Sequence, residues 1–337
     1  MITVNELFSG IGAQVAALKR IGIEYKVVGI SEIDRFAIQS YEAINGKTRN
    51  YGDISKVERL DYADLWTYSS PCQDFSIAGR QKGLRDENGE QTRSGLLLEV
   101  ERLLKTAIAE GKAPKYLLLE NVKNLVGKKF RPDFENWLLT LEELGYKNYW
   151  KVLNAKDYGV PQNRERVFVV SVAEGGFEFP KPIELTIRLK DVLETNVDEK
   201  FYLKQELADS FLKRLSERKV SNTIRCGGAG STDEKHTWDL VAILQNPHGF
   251  NNGGVKKDVS PTITSTGNFA QNNFVLKPDV RIRKLTPREC WRLMGFNDEE
   301  YEAAEKAGVS KTQLYKQAGN SIVVDVLSAI FKNLFQV

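Results

Sequence analysis

The segment Ile2-Thr3-Val4-Asn5-Glu6-Leu7-Phe8-Ser9-Gly10-Ile11-Gly12 decides how the first part of the chain folds. Its apolar run suits a buried strand, and the apolar positions that follow it, at residues 13–20, recur at the spacing of a helix. Glycines at such a junction let the backbone approach a ligand closely and leave the first helical amides free for an anionic group. Because such junctions also use glycine for packing alone, the motif by itself is weak evidence for a ligand.

Short apolar runs alternate with amphipathic stretches up to about residue 180, which predicts an α/β domain built on a parallel sheet with helices packed on it. We expect strands at residues 2–7, 25–30, 65–68, 116–119 and 166–172, and helices at 13–20, 36–45, 96–110 and 134–144. Pro180-Lys181-Pro182 ends this pattern, and polar loops with short β-branched pieces follow. Further helices are expected at residues 286–294 and 322–334. We therefore predict a first domain at 1–180, a smaller domain of β-strands and loops at 181–305, and a C-terminal segment at 306–337 that returns to the first domain.

Composition limits the class of protein. A chain of 337 residues with 41% apolar content can bury at least one substantial core. The three cysteines, Cys72, Cys226 and Cys290, suggest no disulfide framework, and two histidines supply no zinc-binding spacing. No apolar run of the sequence approaches membrane-spanning length, and no signal peptide is evident at the amino terminus. We expect a metal-free protein of the cytoplasm.

The net charge of +3 excludes a diffuse polycation as the basis of partner binding. Between residues 181 and 284, 17 Lys and Arg stand against 13 Asp and Glu, so the basic excess lies in this region. The excess is compatible with a polyanionic partner and equally with a solvated surface of mixed charge.

Two carboxylates at the ends of the next apolar steps suit an adenosine-containing cofactor. Glu32 follows Gly12 by twenty residues, where an acidic side chain can accept hydrogen bonds from ribose hydroxyls. Asp53, in Gly52-Asp53-Ile54, can accept from an adenine amino group. These residues leave open whether the cofactor carries a nicotinamide or a sulfonium.

Cys72 is the candidate nucleophile. It lies in Ser69-Ser70-Pro71-Cys72-Gln73, directly after the strand predicted at residues 65–68. The sulfur is thus expected at the carboxyl edge of the sheet, where open α/β folds bind ligands. The alternative is a buried cysteine that only fills space.

Glu120 and two arginines are expected near the same edge. Glu120 ends the strand predicted at 116–119, where burial would raise its pKa and suit it to donate a proton, although it could instead cap the next helix. Arg164 and Arg166 could clamp an oxyanion, a base carbonyl or a phosphate, or could pair with Glu165.

The order of these motifs resembles that of the DNA cytosine-5 methyltransferases of bacterial or phage restriction-modification systems. Eight segments are in register: Phe8-Ser9-Gly10-Ile11-Gly12, Glu32, Gly52-Asp53-Ile54, Pro71-Cys72-Gln73, Glu120-Asn121-Val122, Gln162-Asn163-Arg164-Glu165-Arg166, Arg283-Lys284-Leu285-Thr286-Pro287-Arg288-Glu289-Cys290 and Gln317-Ala318-Gly319-Asn320-Ser321. The resemblance implies a Rossmann-like methyltransferase sheet with helices on both faces, followed by a target-recognition domain. It also implies S-adenosylmethionine as cofactor, with S-adenosylhomocysteine as product.

In the roles that the resemblance implies, Cys72 adds to carbon 6 of cytosine, Glu120 donates a proton or hydrogen bond at ring nitrogen 3, and Arg164 holds the base carbonyl. Arg166, in the same motif as Arg164, is also expected to be a catalytic residue. The implied cofactor site comprises Phe8, Ser9, Gly10, Ile11, Gly12, Glu32, Ile33, Asp53, Ile54, Pro71, Asn320 and Ser321. Many family members carry an aromatic residue where this chain has Ile33, so adenine stacking is expected to rest more on Phe8.

Double-stranded DNA is the implied partner, and its target cytosine would have to leave the base stack. The segment from Gln73 to Ser94 begins at the nucleophile and is expected to act as a moving lid that reaches phosphates. Its DNA-binding residues would be Gln73, Ser76, Arg80 and Arg93, and base readout would come from Arg225, Gly228, Ser231, Thr262, Thr264 and Ser265. A monomer is expected, with a cognate restriction endonuclease as a possible partner in the same system.

Three other functions fit parts of the sequence. A transfer RNA cytosine methyltransferase would share nearly all catalytic motifs, although the recognition region of about 100 residues favours a reader of duplex DNA. A DNA-binding relative that has lost its chemistry would not need Cys72, Glu120 and Arg164. A nicotinamide oxidoreductase suits the glycine turn and Glu32 but leaves Pro71-Cys72-Gln73 unexplained.

Overall fold

A six-stranded sheet forms the centre of the protein. The computed structural model describes residues 1–70, 96–204, 206, 242–245, 254–257, 260–261, 273–276 and 282–337. The strands of the central sheet are β1 (Ile2–Leu7), β2 (Tyr25–Ser31), β3 (Leu65–Tyr68), β4 (Tyr116–Val122), β5 (Lys147–Asn154) and β7 (Glu165–Val172). Their order across the sheet is β2-β1-β3-β4-β7-β5, and the short strand β6 (Gln162–Asn163) lies outside it.

The direction of β7 corrects the expectation of a parallel sheet. Strands β1 to β4 run parallel, but β7 is antiparallel to β4 and β5. The connection from β5 to β7 contains a 3₁₀ turn at Ala155–Tyr158 and the two-residue strand β6 instead of a crossover helix, so the chain returns antiparallel to β5. As a result, the first residues of β7 lie at the edge where β4 ends, with Arg166 opposite Val122.

Side chains of the strands alternate between two hydrophobic cores. In β4, Leu118 belongs to one core, whereas Leu117 and Leu119 belong to the other. The first core also contains residues of α1 (Ala13–Arg20) and α9 (Val324–Phe335), and the second contains residues of α3 (Leu97–Ala109) and α4 (Arg131–Glu143). The expected sheet with helices on both faces is therefore confirmed.

Further helices complete the first core and its surroundings. They are α2 (Arg35–Asn45), α5 (Leu189–Val192), α6 (Pro287–Arg292), α7 (Asp298–Lys306) and α8 (Lys311–Asn320). Helix α6 begins with a capping box, in which the Thr286 hydroxyl accepts from the Glu289 amide and the Glu289 carboxylate accepts from the Thr286 amide. Its Trp291 is fully buried in the first core.

A second sheet is antiparallel, in the order β12-β11-β8-β9. Its strands are β8 (Ala242–Gln245), β9 (Gly254–Lys257), β11 (Asn273–Leu276) and β12 (Ile282–Lys284), and β10 (Ser260–Pro261) pairs separately with β6. Strands and loops were expected in this region. The domain boundaries at residues 180 and 305 stay predictions.

The prediction that no apolar run approaches membrane-spanning length is corrected at Lys311–Phe335, which has the length and composition of a membrane span and a mean hydropathy of 1.2 in its most apolar window. However, 67% of that window is buried inside the protein, and α9 packs on α1. The stretch is thus accounted for by the core packing of α8 and α9.

Candidate active site

The turn after β1 has an unusual backbone. Phe8 has a φ of 59°, a left-handed conformation that is uncommon for a side chain of this size, and Gly10 and Gly12 have φ values of 57° and 84°. A Cβ atom on Gly12 would lie 2.7 Å from Asn45 Nδ2 and 2.9 Å from Tyr41 Cε2, so glycine is required there. A Cβ atom on Gly10 would meet nothing within 4 Å. The turn therefore exposes open space above Gly10.

Glu32 fixes this turn to the end of β2. Its Oε2 atom accepts a hydrogen bond of 2.9 Å from the Gly10 amide. Its Oε1 atom accepts from the amides of Asp34 and Ile33, at 2.8 Å and 2.9 Å. The next side chain, Ile33, is 73% exposed. Glu32, the residue predicted to bind the ribose, is thus in direct contact with the glycine turn, and the exposed side chain of Ile33 is next to it.

Other predicted cofactor residues differ in how accessible they are. Asp53 Oδ1 accepts from the Ser55 amide and hydroxyl, and these hydrogen bonds lower the pKa of Asp53. The side chains of Ile11 and Ile54 are buried in the two cores, so only their backbone could face a ligand. Ser9 is also buried, and its hydroxyl has no hydrogen-bond partner among the described residues.

Helix α8 brings the C-terminal motif to Asp34 and α2. Lys316 pairs with Asp34 at 2.7 Å, and Gln317 accepts from the Ser40 hydroxyl at 3.0 Å. Asn320 is exposed and Ser321 is buried just beyond these contacts. The C-terminal segment therefore packs against the region that contains Glu32.

Asn121 orients the chain that leads to the predicted nucleophile. Its Nδ2 atom donates to the Ser70 carbonyl at 3.3 Å, and Asn121 is 2% exposed. Pro71 and Cys72 come directly after Ser70 but lie outside the described residues. In the sequence, Asn121 was noted only as part of the motif Glu120-Asn121-Val122, and its hydrogen bond to Ser70 was not predicted.

Glu120 is buried at the same edge. Its carboxylate oxygen Oε1 is 3.2 Å from Arg166 Nε. Removal from water raises the pKa of Glu120, and the positive charges of Arg166 and Arg164 and the Ser69 hydroxyl oppose this shift only in part. The alternative role as a helix cap is not observed, because the 3₁₀ turn at Lys123–Val126 has no side-chain cap.

Arg164 connects the edge of the sheet that contains Glu120 with the C-terminal segment. The residue is 4% exposed, and its Nη2 atom donates to the carbonyls of Ser321 at 2.8 Å and Gly319 at 3.2 Å. Its backbone amide donates to the Asn154 side chain at 3.1 Å. The two carbonyl acceptors could not be predicted from local sequence patterns, since these contacts join positions more than 150 residues apart.

The predicted alternative of an ion pair between these arginines and Glu165 is wrong for Arg166. Glu165 pairs with Lys123 at 3.0 Å, whereas Arg166 pairs with Glu120 and donates only to the Glu165 backbone carbonyl. Arg166 is therefore the positive partner of the buried carboxyl.

Glu6, in the middle of β1, is a buried acid that sequence reasoning did not single out. It is 0% exposed and accepts a hydrogen bond from the Tyr41 hydroxyl. Burial raises the pKa of Glu6 to about 7, although the bond from Tyr41 opposes the shift. A carboxylate between Val4 and Leu7 in a strand expected to be buried is the signal that could have revealed it.

Replacing Glu6 with Gln is expected to flatten the pH dependence of stability. The unfolded chain loses this proton near pH 4.5 and the folded chain only near pH 7. Stability associated with Glu6 is therefore full below about pH 4.5 and falls by up to about 3 kcal/mol as the pH rises to about 7. Urea unfolding of both proteins at about pH 5 and about pH 8 measures the difference. An identical pH dependence in the two proteins would contradict the assignment.

The DNA-binding residues expected on the lid and in the readout loops lie outside the described residues. They are Gln73, Ser76, Arg80, Arg93, Arg225, Gly228, Ser231, Thr262, Thr264 and Ser265. Within the described parts of the chain, no group of three His, Cys, Asp or Glu side chains could hold a metal ion.

Comparison with known proteins identifies the family of this chain. The family model described as C-5 cytosine-specific DNA methylase matches residues 2–336. The type II methyltransferase M2.ScrFI of Lactococcus lactis subsp. cremoris is 37% identical over 395 residues, which cover 100% of this chain and 99% of that protein. The orphan methyltransferase M.SPBetaI of Bacillus phage SPbeta is 32% identical, with 99% and 97% of the two chains covered.

Among solved structures, the S. pombe Dnmt2 methyltransferase superposes with a TM-score of 0.64 at 22% identity, covering 100% of this chain and 99% of that one. A putative DNA modification methyltransferase from an E. coli prophage gives a TM-score of 0.64 at 20% identity, with 100% and 99% covered. These two likenesses establish the fold. Taken with the family match over residues 2–336, the chain belongs to the C-5 cytosine-specific DNA methylases, enzymes that methylate cytosine with S-adenosylmethionine.

Proposed function

We propose that this enzyme methylates carbon 5 of a flipped-out cytosine in one short duplex DNA sequence, through a covalent adduct with Cys72. The observation that carries the proposal is the buried carboxyl of Glu120, held 3.2 Å from Arg166 beside the chain that leads to Cys72. A buried carboxyl with a raised pKa can keep its proton and donate it to a base.

Cys72 would act as a thiolate. Its sulfur forms a bond to carbon 6 of the ring, and the displaced electron pair makes carbon 5 nucleophilic, which an unmodified cytosine is not. Glu120 donates at ring nitrogen 3 and so stabilises the adduct, and Arg164 holds the carbonyl oxygen. After methylation at carbon 5, a base removes the carbon 5 proton, and the returning electron pair expels the sulfur. That base is either a water or a side chain.

Arg166 and Asn121 would assist by position. The guanidinium of Arg166 faces Glu120 and limits the rotamers open to its carboxyl. Asn121 fixes the Ser70 carbonyl two residues before the nucleophile. Both contacts hold reacting groups in one geometry before the base arrives, which is a major source of rate enhancement.

The residues of the glycine turn fit an adenosyl cofactor. Open space above Gly10, the exposed Ile33 and the Ser9 hydroxyl, which has no partner in the described parts of the chain, lie where such a ligand would meet Glu32. Glu32 would accept from the ribose, Asp53 from the adenine amino group, and Asn320 and Ser321 would close the pocket. When bound, S-adenosylmethionine supplies an electrophilic methyl group, and S-adenosylhomocysteine is the product.

The partner is proposed to be duplex DNA, from which the target base is extruded at a cost of roughly a few kcal/mol. We assign recognition to residues 181–305, catalysis and cofactor binding to 1–180, and completion of the cofactor pocket to 306–337. A monomer suffices, since one flipped base needs one active site. The cytoplasm is the proposed compartment, because the thiol of Cys72 must stay reduced, and a cognate restriction endonuclease would be the partner of a restriction-modification system.

The test is incubation with S-adenosylmethionine and unmethylated genomic DNA, followed by base-resolution sequencing. 5-Methylcytosine at one short recurrent sequence would support the proposal, whereas methylation of transfer RNA in preference to DNA would refute it. A duplex with 5-fluorocytosine at the target then tests the adduct. Release of the enzyme requires a base to remove a proton from carbon 5, and the fluorine at that position cannot be removed in this way. We expect the wild type, but not Cys72→Ala, to form a complex that survives denaturation.

A further inference from the structure

The segment that precedes Arg164 meets three separate parts of the chain. Gln162 donates from Nε2 to the Leu293 carbonyl at 2.5 Å, which joins it to the end of α6. The guanidinium of Arg164 joins it to the C-terminal segment through Gly319 and Ser321. The third connection, to Ser260, comes from the region of the second sheet.

Ser260 forms this third connection through its backbone. Its amide donates to the Pro161 carbonyl at 2.7 Å, and Ser260 and Pro261 pair in parallel with Gln162 and Asn163. Ser260 is 0% exposed, so the bridge is shielded from water that could replace its hydrogen bond.

The Arg164 loop is itself held tightly, so a change at the bridge would be passed on. The Arg164 amide donates to the Gln162 carbonyl and to the Asn154 side chain, both at 3.1 Å, and its carbonyl accepts from the Ala155 amide at 3.0 Å. Asn154 also donates to the Asn163 side chain at 2.7 Å. These hydrogen bonds restrict the backbone conformation between Pro161 and Arg164.

From these contacts we propose that Ser260 is a positioning residue whose bridge to Pro161 couples the recognition region to the placement of Arg164 on the target base. The inference rests on the proposed function, in which Arg164 holds the base and the residues after Pro261 read the DNA. A target bound in the correct register would keep the bridge closed and Arg164 in place. A wrong target would displace the bridge and slow the chemical step.

The experiment compares Ser260→Pro with Ser260→Ala. Proline lacks the amide hydrogen and cannot form the bridge, whereas alanine retains it, so the difference between the two variants isolates the bridge from the loss of the hydroxyl. The measurements are the single-turnover methylation rate on the cognate duplex, the rate on a duplex with one changed base pair, and the dissociation constants for S-adenosylmethionine and cognate DNA.

Relative to Ser260→Ala, Ser260→Pro is expected to lower the cognate rate by about 10- to 100-fold, since a displacement on the order of 1 Å has such an effect. The ratio of cognate to altered-target rates should shrink, while both dissociation constants change by less than about threefold. A purely structural role would instead weaken cofactor binding and lower both rates by the same factor, leaving their ratio unchanged.

If Ser260→Pro does not fold, Ser260→Gly keeps the amide but loosens the strand, and a loss of about two- to tenfold with a reduced ratio is expected. If Ser260→Pro or Ser260→Gly methylated at the wild-type rate with the wild-type ratio of cognate to altered-target rates, the proposed coupling would be overturned. The proposed function would not be affected by that result. A wild-type protein that binds S-adenosylmethionine yet forms no 5-methylcytosine would overturn the proposed function, and the coupling with it.

Discussion

Glu120→Gln is expected to lower the single-turnover methylation rate by a factor of about 10² to 10⁴. Glutamine has nearly the same shape and can still donate a hydrogen bond, but it cannot release a proton to ring nitrogen 3. Glu120 is only 8% exposed, so water does not readily substitute for its carboxyl. Quench-flow measurement at saturating S-adenosylmethionine and DNA reports the chemical step directly.

Glu165→Gln is the matched control for this prediction. Glu165 is a carboxylate in the same motif, but its side chain is 45% exposed and pairs with Lys123 at the surface. Its replacement should leave the methylation rate within about twofold of the wild type. A Glu120→Gln enzyme as active as this control would exclude Glu120 as the proton donor.

The pH profile provides a second test of Glu120. Because desolvation raises its pKa, the protonated and active form persists to higher pH than for an ordinary glutamate. The wild-type rate should fall as the pH rises through that pKa, and Glu120→Gln should lack this decline. A decline of the same midpoint in both proteins would assign it to another group.

Breaking the buried ion pair of Arg283 and Glu289 is the second prediction with a large effect. Both side chains are 0% exposed, and two hydrogen bonds of 2.6 Å and 2.8 Å join them. Glu289 also accepts from the amides of Thr286 and Glu194 at 2.8 Å each. Glu289→Ala would leave the Arg283 charge buried without its partner and should lower the free energy of unfolding by about 3–5 kcal/mol.

Urea unfolding measures this loss, and the pair of Arg131 and Glu135 on α4 supplies the control. Those side chains are 41% and 54% exposed, so Glu135→Ala should change stability by less than about 1 kcal/mol. The double variant with Arg283→Met and Glu289→Leu should recover much of the loss, because no charge is left unpaired. A loss below about 1 kcal/mol for Glu289→Ala would contradict the argument.

Local pattern sufficed for the elements whose side chains are nearly all buried on one or both faces. Strands β1 and β3 and helix α1 have the predicted bounds, because closely spaced apolar residues in the strands and an apolar stripe on the helix mark them without reference to the rest of the chain. Strand β5 was missed. It has four exposed or half-exposed residues before Lys151 and lies at the edge of the sheet, so only Leu153 is buried and no regular apolar pattern signals the strand.

Local pattern also predicted some features of the candidate site and missed others. Glu32 and Glu120 were located from their positions at strand ends, and the structure places them beside Gly10 and Arg166, respectively. The roles of Asn121 and of the carbonyls that hold Arg164 depend on contacts between distant segments, which a single sequence does not encode in any local pattern. The nucleophilic role of Cys72 stays a prediction.

The packing of α1 on α9 has a consequence for how this enzyme is made. The two helices are joined at their surface by Arg20 and Asp325, 2.9 Å apart, but roughly 300 residues of chain separate them. At a translation rate of about 5–20 residues per second, α1 waits about 15–60 s on the ribosome for its partner. During that interval the part of α1 that packs on α9 stays uncovered, although Val15 of α1 can already pack with Ile30 and Tyr41. Because the proposed cofactor pocket also needs Asn320 and Ser321, we expect methylation to begin only after the C-terminal segment has been synthesised.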